Sequence, residues 1–192
     1  MENILYEQAL EYTRKLFSGN FNGHDFNHSF RVHKTAMYIA RFETCNLDIV
    51  ALGSILHDAD DHKLFHTKNN QNARIFLESH NISSTMADEI CQVINSISFS
   101  QNEGRKPSTM EGKIIQDADR LDAIGAIGIA RAFTFNGEKH LPMEQAIEHY
   151  QNKLSLLKDL MNTDVAKKIA QHRHELMQNY FQELSSELFF PN

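Results

Sequence analysis

Ile55-Leu56-His57-Asp58-Ala59-Asp60-Asp61-His62-Lys63 is the stretch that decides how this chain is read. An apolar helical run passes directly into a cluster of histidine and aspartate. The adjacent His57 and Asp58 offer one imidazole nitrogen and one carboxylate oxygen, both good donors to a divalent metal. Neighbours on a helix point about 100° apart, so both can reach one ion only where the helix ends or widens. Ala59-Asp60-Asp61 is a poor helix interior and predicts such an end. A His-Asp pair alone is a common dipeptide. It gains meaning beside Asp25-Phe26-Asn27-His28-Ser29-Phe30-Arg31-Val32 and Asp117-Ala118-Asp119-Arg120-Leu121-Asp122, which bring a further histidine and a further aspartate.

Outward from that stretch, hydrophobic periodicity predicts helices almost throughout. Leu5, Ala9, Tyr12 and Leu16 mark an amphipathic helix over 2–18, ended by Gly19-Asn20. Asp25 or Asn27 is placed to cap a second over 26–44, which sets His28 and Arg31 on one face near its start. Asn46 caps a third that delivers His57-Asp58, and 59–67 follows as a polar loop in which Asp60 reads as a solvated carboxylate. Further helices are expected over 68–80, stopped at Asn81, and over 84–97. An exposed loop over 98–108 then leads to Ser108-Thr109-Met110-Glu111, a capping-box signature that opens the helix reaching Asp119. A tightly packed helix over Ala123–Phe135, closed by Gly137, follows a bend. Pro142 starts a long helix to about Leu160, and Thr163 or Asp164 starts another to about Leu188. No strand hairpin, repeat or Gly-rich phosphate loop is found.

The ordered stretches resemble the HD-domain metal-dependent phosphohydrolases, whose pattern H…HD…D falls on His28, His57, Asp58 and Asp119. The resemblance spans roughly 24–135. The run Gln116-Asp117-Ala118-Asp119-Arg120-Leu121-Asp122-Ala123-Ile124-Gly125-Ala126-Ile127-Gly128 is similar to a bacterial branch of small stand-alone HD proteins that includes nucleotide pyrophosphohydrolases. It implies an all-α, compact multi-helix bundle with a C-terminal helical extension over 142–188, the whole of 1–192 forming one HD-type domain. It also implies one divalent ion held by the four residues. Two imidazoles and two carboxylates suit Mn²⁺, Fe²⁺, Co²⁺ or Mg²⁺, with Zn²⁺ also compatible and Mn²⁺ or Mg²⁺ favoured. The expected reaction is hydrolysis of nucleoside triphosphates to monophosphate and pyrophosphate. Rival readings are a nucleoside monophosphate phosphatase or phosphodiesterase at the same site, a nucleotide-sensing module without turnover, and a di-iron oxygenase, which would require further ligands.

Other residues take expected roles around that site. Asp61, three after Asp58, matches an acidic position that acts on the attacking water in some HD nucleotidases, and is the candidate general base. Arg31, in the family's HxxR spacing, and Lys63 are the candidate phosphate clamps. Arg binds phosphate through a planar fork and Lys as a point charge. Lys68, Arg105, Lys106 and Arg120 read as solvated surface charges, although the Arg105-Lys106 loop could close over a substrate. Asp122 shares a face with Asp119 and could orient Arg31 or a water, or form a salt bridge with no catalytic part. His24 reads as a cap or supporting residue and His33 as structural. His62 and His66 could support a second ion, but a single ion is the expectation.

Composition narrows the partners. The chain has 192 residues, 41% hydrophobic and 23% charged, with a net charge of −6. No basic stripe is present, so nucleic acid is not expected as the main partner. No apolar run approaches the roughly 20 residues that span a bilayer, and Met-Glu-Asn-Ile lacks a basic signal region. Cys45 and Cys91 sit singly in apolar segments and read as buried free thiols, which points to the cytoplasm. The expected partner is a small phosphorylated substrate, a nucleotide by resemblance; a homo-oligomer is compatible with the sequence.

Overall fold

The computed structural model describes residues 2–19, 25–62, 64–97 and 105–190. Among them are nine α-helices and one 3₁₀ helix and no strand, an all-α fold. The chain forms two compact units, Met1–Ala118 and Asp119–Asn192.

The first unit is built on α3, Leu47–Leu56, whose residues Ile49 to Leu56 are all buried. A helix apolar on every side must be surrounded, and α3 packs against α1 (Glu2–Leu16), α2 (Phe26–Ala40) and α5 (Ser84–Ile97). Gly53 marks a close approach, since a Cβ there would meet Ile115 Cδ1 at 2.9 Å. Ile115 belongs to α6, Met110–Asp122, which begins in this unit. The predicted caps are found at two starts. The Asp25 carboxylate accepts the His28 N–H at 2.8 Å, so Asp25 and not Asn27 caps α2. Asn46 Oδ1 accepts the N–H groups of Asp48 and Ile49. Asn81 ends α4 (Gln71–Ser79) in the left-handed conformation, φ 57°.

Two local expectations are corrected by contacts distant in sequence. The capping box at Ser108–Glu111 does not close. Thr109 Oγ1 accepts the Gly112 N–H at 3.1 Å, and Glu111 Oε1 instead accepts the backbone N–H of Asn46 at 2.8 Å. Asp60 is not a solvated loop carboxylate. Its two oxygens accept the N–H groups of Asn72 and Ala73 at 2.9 and 3.0 Å, the first-turn donors of α4. The residue at the N-cap of that helix, Asn70, makes no side-chain cap bond, so Asp60 caps α4 from the loop after α3.

The second unit contains the end of α6, then α7 (Gly125–Glu138), α8 (Glu144–Asn152), the 3₁₀ helix Leu154–Leu160 and α9 (Asp164–Leu188). The expected long helix to Leu160 is therefore two pieces, broken at Lys153, φ −136° and ψ −58°. Leu154 and Leu157 are both buried, and a three-residue spacing satisfies an α-helix and a 3₁₀ helix alike, so periodicity did not separate them. The 98–108 loop is described only from Arg105, and the His24 expectation lies outside the described residues.

Asp60→Ala is expected to lower the unfolding free energy by about 1–2 kcal/mol, the scale of a lost N-cap. Urea denaturation measures it, and an unchanged midpoint would show that the bonds to α4 contribute nothing net.

Candidate metal centre

His28 lies in the first turn of α2 and is 2% exposed. The Asp25 cap fixes the backbone at its own N–H. His57 is the C-cap of α3. Its Nδ1 donates to the Ser54 carbonyl at 2.8 Å. That oxygen is among the last four of the helix, which lack helical N–H donors. The bond sets the tautomer, leaving Nε2 as a lone-pair donor. Nε2 of His57 lies 3.3 Å from Nε2 of His28, and Asp58 Oδ2 lies 3.4 Å from each of them. Asp119, on α6, brings a carboxylate oxygen into the same place: donor atoms of His28, His57 and Asp119 all lie within 4.8 Å of one another.

The 3.3–3.4 Å separations among His28, His57 and Asp58 fit an ion. Donors about 2.1 Å from one metal stand about 3.0–3.4 Å apart. Two imidazole lone pairs and carboxylate oxygens facing one another repel unless a proton or cation sits among them. The cluster is the only set of three or more such donors found among the described residues. His62 and His66 are exposed and outside it.

His33 supports the same turn. Its Nδ1 lies 3.1 Å from Ser54 Oγ, and Ser54 Oγ donates to the Ala51 carbonyl at 2.9 Å. Ser54 thus meets His33 through its side chain and His57 through its backbone. Burial pushes the His33 imidazole down to about 4, against a hydrogen bond to the Ala51 backbone that favours the charged form.

Arg31 is half-buried on α2, three residues after His28. Asp61 is half-buried; its N–H bonds to the Asp58 carbonyl at 3.0 Å, and its own carbonyl accepts from Leu64 and Phe65. Lys63 lies outside the described residues, and Lys68, Arg105 and Lys106 are exposed. Arg120 is corrected: it is 6% exposed, not a solvated charge, and Nη1 donates to the Leu160 carbonyl. Asp122 forms a salt bridge with Arg131 on α7. Cys91 is buried and Cys45 half-buried, both free thiols.

The HD domain family model matches residues 25–124, over half of the chain. The chain belongs to the HD domain family. It is 36% identical over 190 residues to the Bacillus subtilis protein YpgQ, covering 95% of this chain and 93% of that one. The crystal structure of YpgQ in complex with ADP superposes with a TM-score of 0.82 at 35% identity, over 95% of this chain and 97% of that chain. An HD-superfamily hydrolase from Bacillus thuringiensis matches with a TM-score of 0.80 at 30% identity, over the full length of both. The chain therefore has the fold and family of the HD-superfamily hydrolases, and His28, His57, Asp58 and Asp119 all fall within the family match. No described helix of this HD chain is long and apolar enough to cross a membrane.

His57→Ala and Asp58→Ala are each expected to lose bound divalent metal while keeping the helical circular dichroism; unchanged metal content in both, by elemental analysis, would refute the assignment. His33 gives a pH prediction. Unfolded, its imidazole titrates near 6.5, and folded, near 4. Stability from this residue is thus full above pH 6.5 and is lost as pH falls toward 4, by up to about 3 kcal/mol. His33→Asn, which keeps a donor but does not titrate, should flatten that fall in denaturation midpoints measured across the window.

Proposed function

We propose that this chain is a metal-dependent phosphohydrolase that cuts nucleoside triphosphates to monophosphate and pyrophosphate. The observation that carries the reading is the convergence of His28, His57 and Asp119, with Asp58 at 3.4 Å from both imidazoles. A nucleotide substrate is supported by a relative of nearly the same length having been solved with ADP, and cleavage between the α- and β-phosphates by the resemblance of the Gln116–Gly128 run. His28, His57, Asp58 and Asp119 would hold one divalent ion, Mn²⁺ or Mg²⁺ by preference. Such an ion acts as a Lewis acid toward phosphate and makes a bound water more acidic.

The chain's own residues do the rest. Arg31 and Lys63 would hold phosphate oxygens, which an acidic protein of net charge −6 must neutralise locally. Asp61 would take the proton of the attacking water. The water oxygen bonds to the α-phosphorus, and the bond from that phosphorus to the bridging oxygen breaks, releasing pyrophosphate. Support for Asp61 is its place in the turn after Asp58, where its N–H is tied to the Asp58 carbonyl. The site is proposed to work in the cytoplasm, in keeping with two free thiols.

A nucleotide panel assayed with Mn²⁺, Mg²⁺ and Co²⁺, with products separated, tests the reaction. Triphosphates should yield pyrophosphate. Inorganic phosphate from monophosphates alone would favour the phosphatase reading, and binding with no turnover the sensing module. Asp61→Asn is expected to keep metal and substrate binding and to lose kcat by about 10²–10⁴-fold. Retention of more than about a tenth of the wild-type kcat would remove Asp61 as the base.

A further inference from the structure

Helix α6 ends at Asp122, three residues past Asp119, and the chain turns at once into α7 at Gly125. The turn is closed by Ala123 N–H to the Arg120 carbonyl at 3.1 Å and Ile124 N–H to the Leu121 carbonyl at 3.2 Å. The Leu121 carbonyl accepts a second bond, from Arg173 Nη1 at 2.5 Å, on α9 and 52 residues away. Gly125 has φ +79°, and a Cβ there would meet Arg173 Cγ, Cβ and Cδ at 2.8, 3.0 and 3.1 Å. A Cβ on Gly128 would come within 2.3 Å of the Ala123 carbonyl oxygen. The elbow thus requires both glycines, and the Arg173 methylenes lie directly over the first. Burial disfavours the charged Arg173 guanidinium, and the Asp122 charge opposes that effect. A cation at a helix C-terminus meets the negative end of the helix dipole.

We propose that Arg173 is a positioning residue for Asp119. By bonding to Leu121 and covering Gly125, it sets the rotation of the last turn of α6, which carries the Asp119 carboxylate. The inference rests on the reading of Asp119 as a metal ligand. The magnitudes make the device consequential. A side-chain oxygen about 6 Å from a helix axis moves about 1 Å for 10° of unwinding. Metal–ligand distances tolerate only about 0.2 Å.

The test is Mn²⁺ binding by titration calorimetry, with circular dichroism melts on the same samples. Arg173→Met keeps the methylenes over Gly125 and removes the guanidinium. It should bind Mn²⁺ about 10–100-fold more weakly with the helical signal intact, and Arg173→Lys should fall between it and wild type. Ala170→Gly, one turn earlier on α9, serves as a control that lowers the melting temperature and should leave the Mn²⁺ affinity unchanged. A Kd for Arg173→Met within about twofold of wild type, or equal weakening in Ala170→Gly, overturns the proposal. If Arg173→Met does not fold, Arg173→Lys is held to the same threshold. Wild-type protein binding Mn²⁺ no better than His57→Ala overturns the metal-site reading and this proposal with it. Normal wild-type binding with an unaffected Arg173→Met overturns this proposal alone.

Discussion

His57 donates its Nδ1 proton to the Ser54 carbonyl, an oxygen that the end of α3 leaves without a helical donor. The bond satisfies a helix terminus and at the same time turns Nε2 toward His28 and Asp58. A histidine one residue earlier would sit inside the helix, its ring directed elsewhere by about 100°. The apolar character of α3 is part of the same constraint. Because Ile49 through Leu56 are buried on all sides and Gly53 sits tight against Ile115, the helix cannot rotate or slide without clashing with the side chains packed around it, and the position of its last turn follows. Ser54 ties that turn to α2 as well, through His33.

The loop after α3 is held at both ends. His57 anchors it to α3, and Asp60 anchors it to the first-turn N–H groups of α4. Asp58 lies between these anchors, so its carboxylate is placed by two helices although it belongs to neither. The same economy recurs at Glu111, which leaves its own helix start to bond the backbone of Asn46 at the start of α3. At Asp60 and Glu111 a side chain distant in sequence satisfies a helix start. Each of these bonds contributes about 1 kcal/mol, and those of His57 and Asp60 also fix the segment that carries Asp58.

Charge gives the centre its character. An acidic chain brings together two imidazole nitrogens and carboxylate oxygens in a largely buried place. Burying such a set is unfavourable without a compensating cation, which is the physical content of the HD pattern. The HD family match over residues 25–124 includes His28, His57, Asp58 and Asp119.

The sequence alone determined the helices, most of their starts, and the residues that converge. Periodicity and capping are local, so Asp25, Asn46 and Thr163 could be read as caps and each is one. The ordered His28, His57-Asp58 and Asp119 could be read as one group because a recurring motif stands in for the missing distances; the structure brings donor atoms of His28, His57 and Asp119 within 4.8 Å of one another, and Asp58 to 3.4 Å from both imidazoles. Only the tertiary structure decided where the other charges go. Asp60 looked like a loop carboxylate and Arg120 like a surface cation, since nothing near them in sequence reveals an orphan N–H at Asn72 or a carbonyl at Leu160. Arg173 carried no signal at all, because its partner lies 52 residues away. The break at Lys153 was hidden because a three-residue apolar spacing fits two kinds of helix. Local periodicity and caps are written in neighbouring residues, whereas long-range satisfaction of polar groups exists only once distant segments meet.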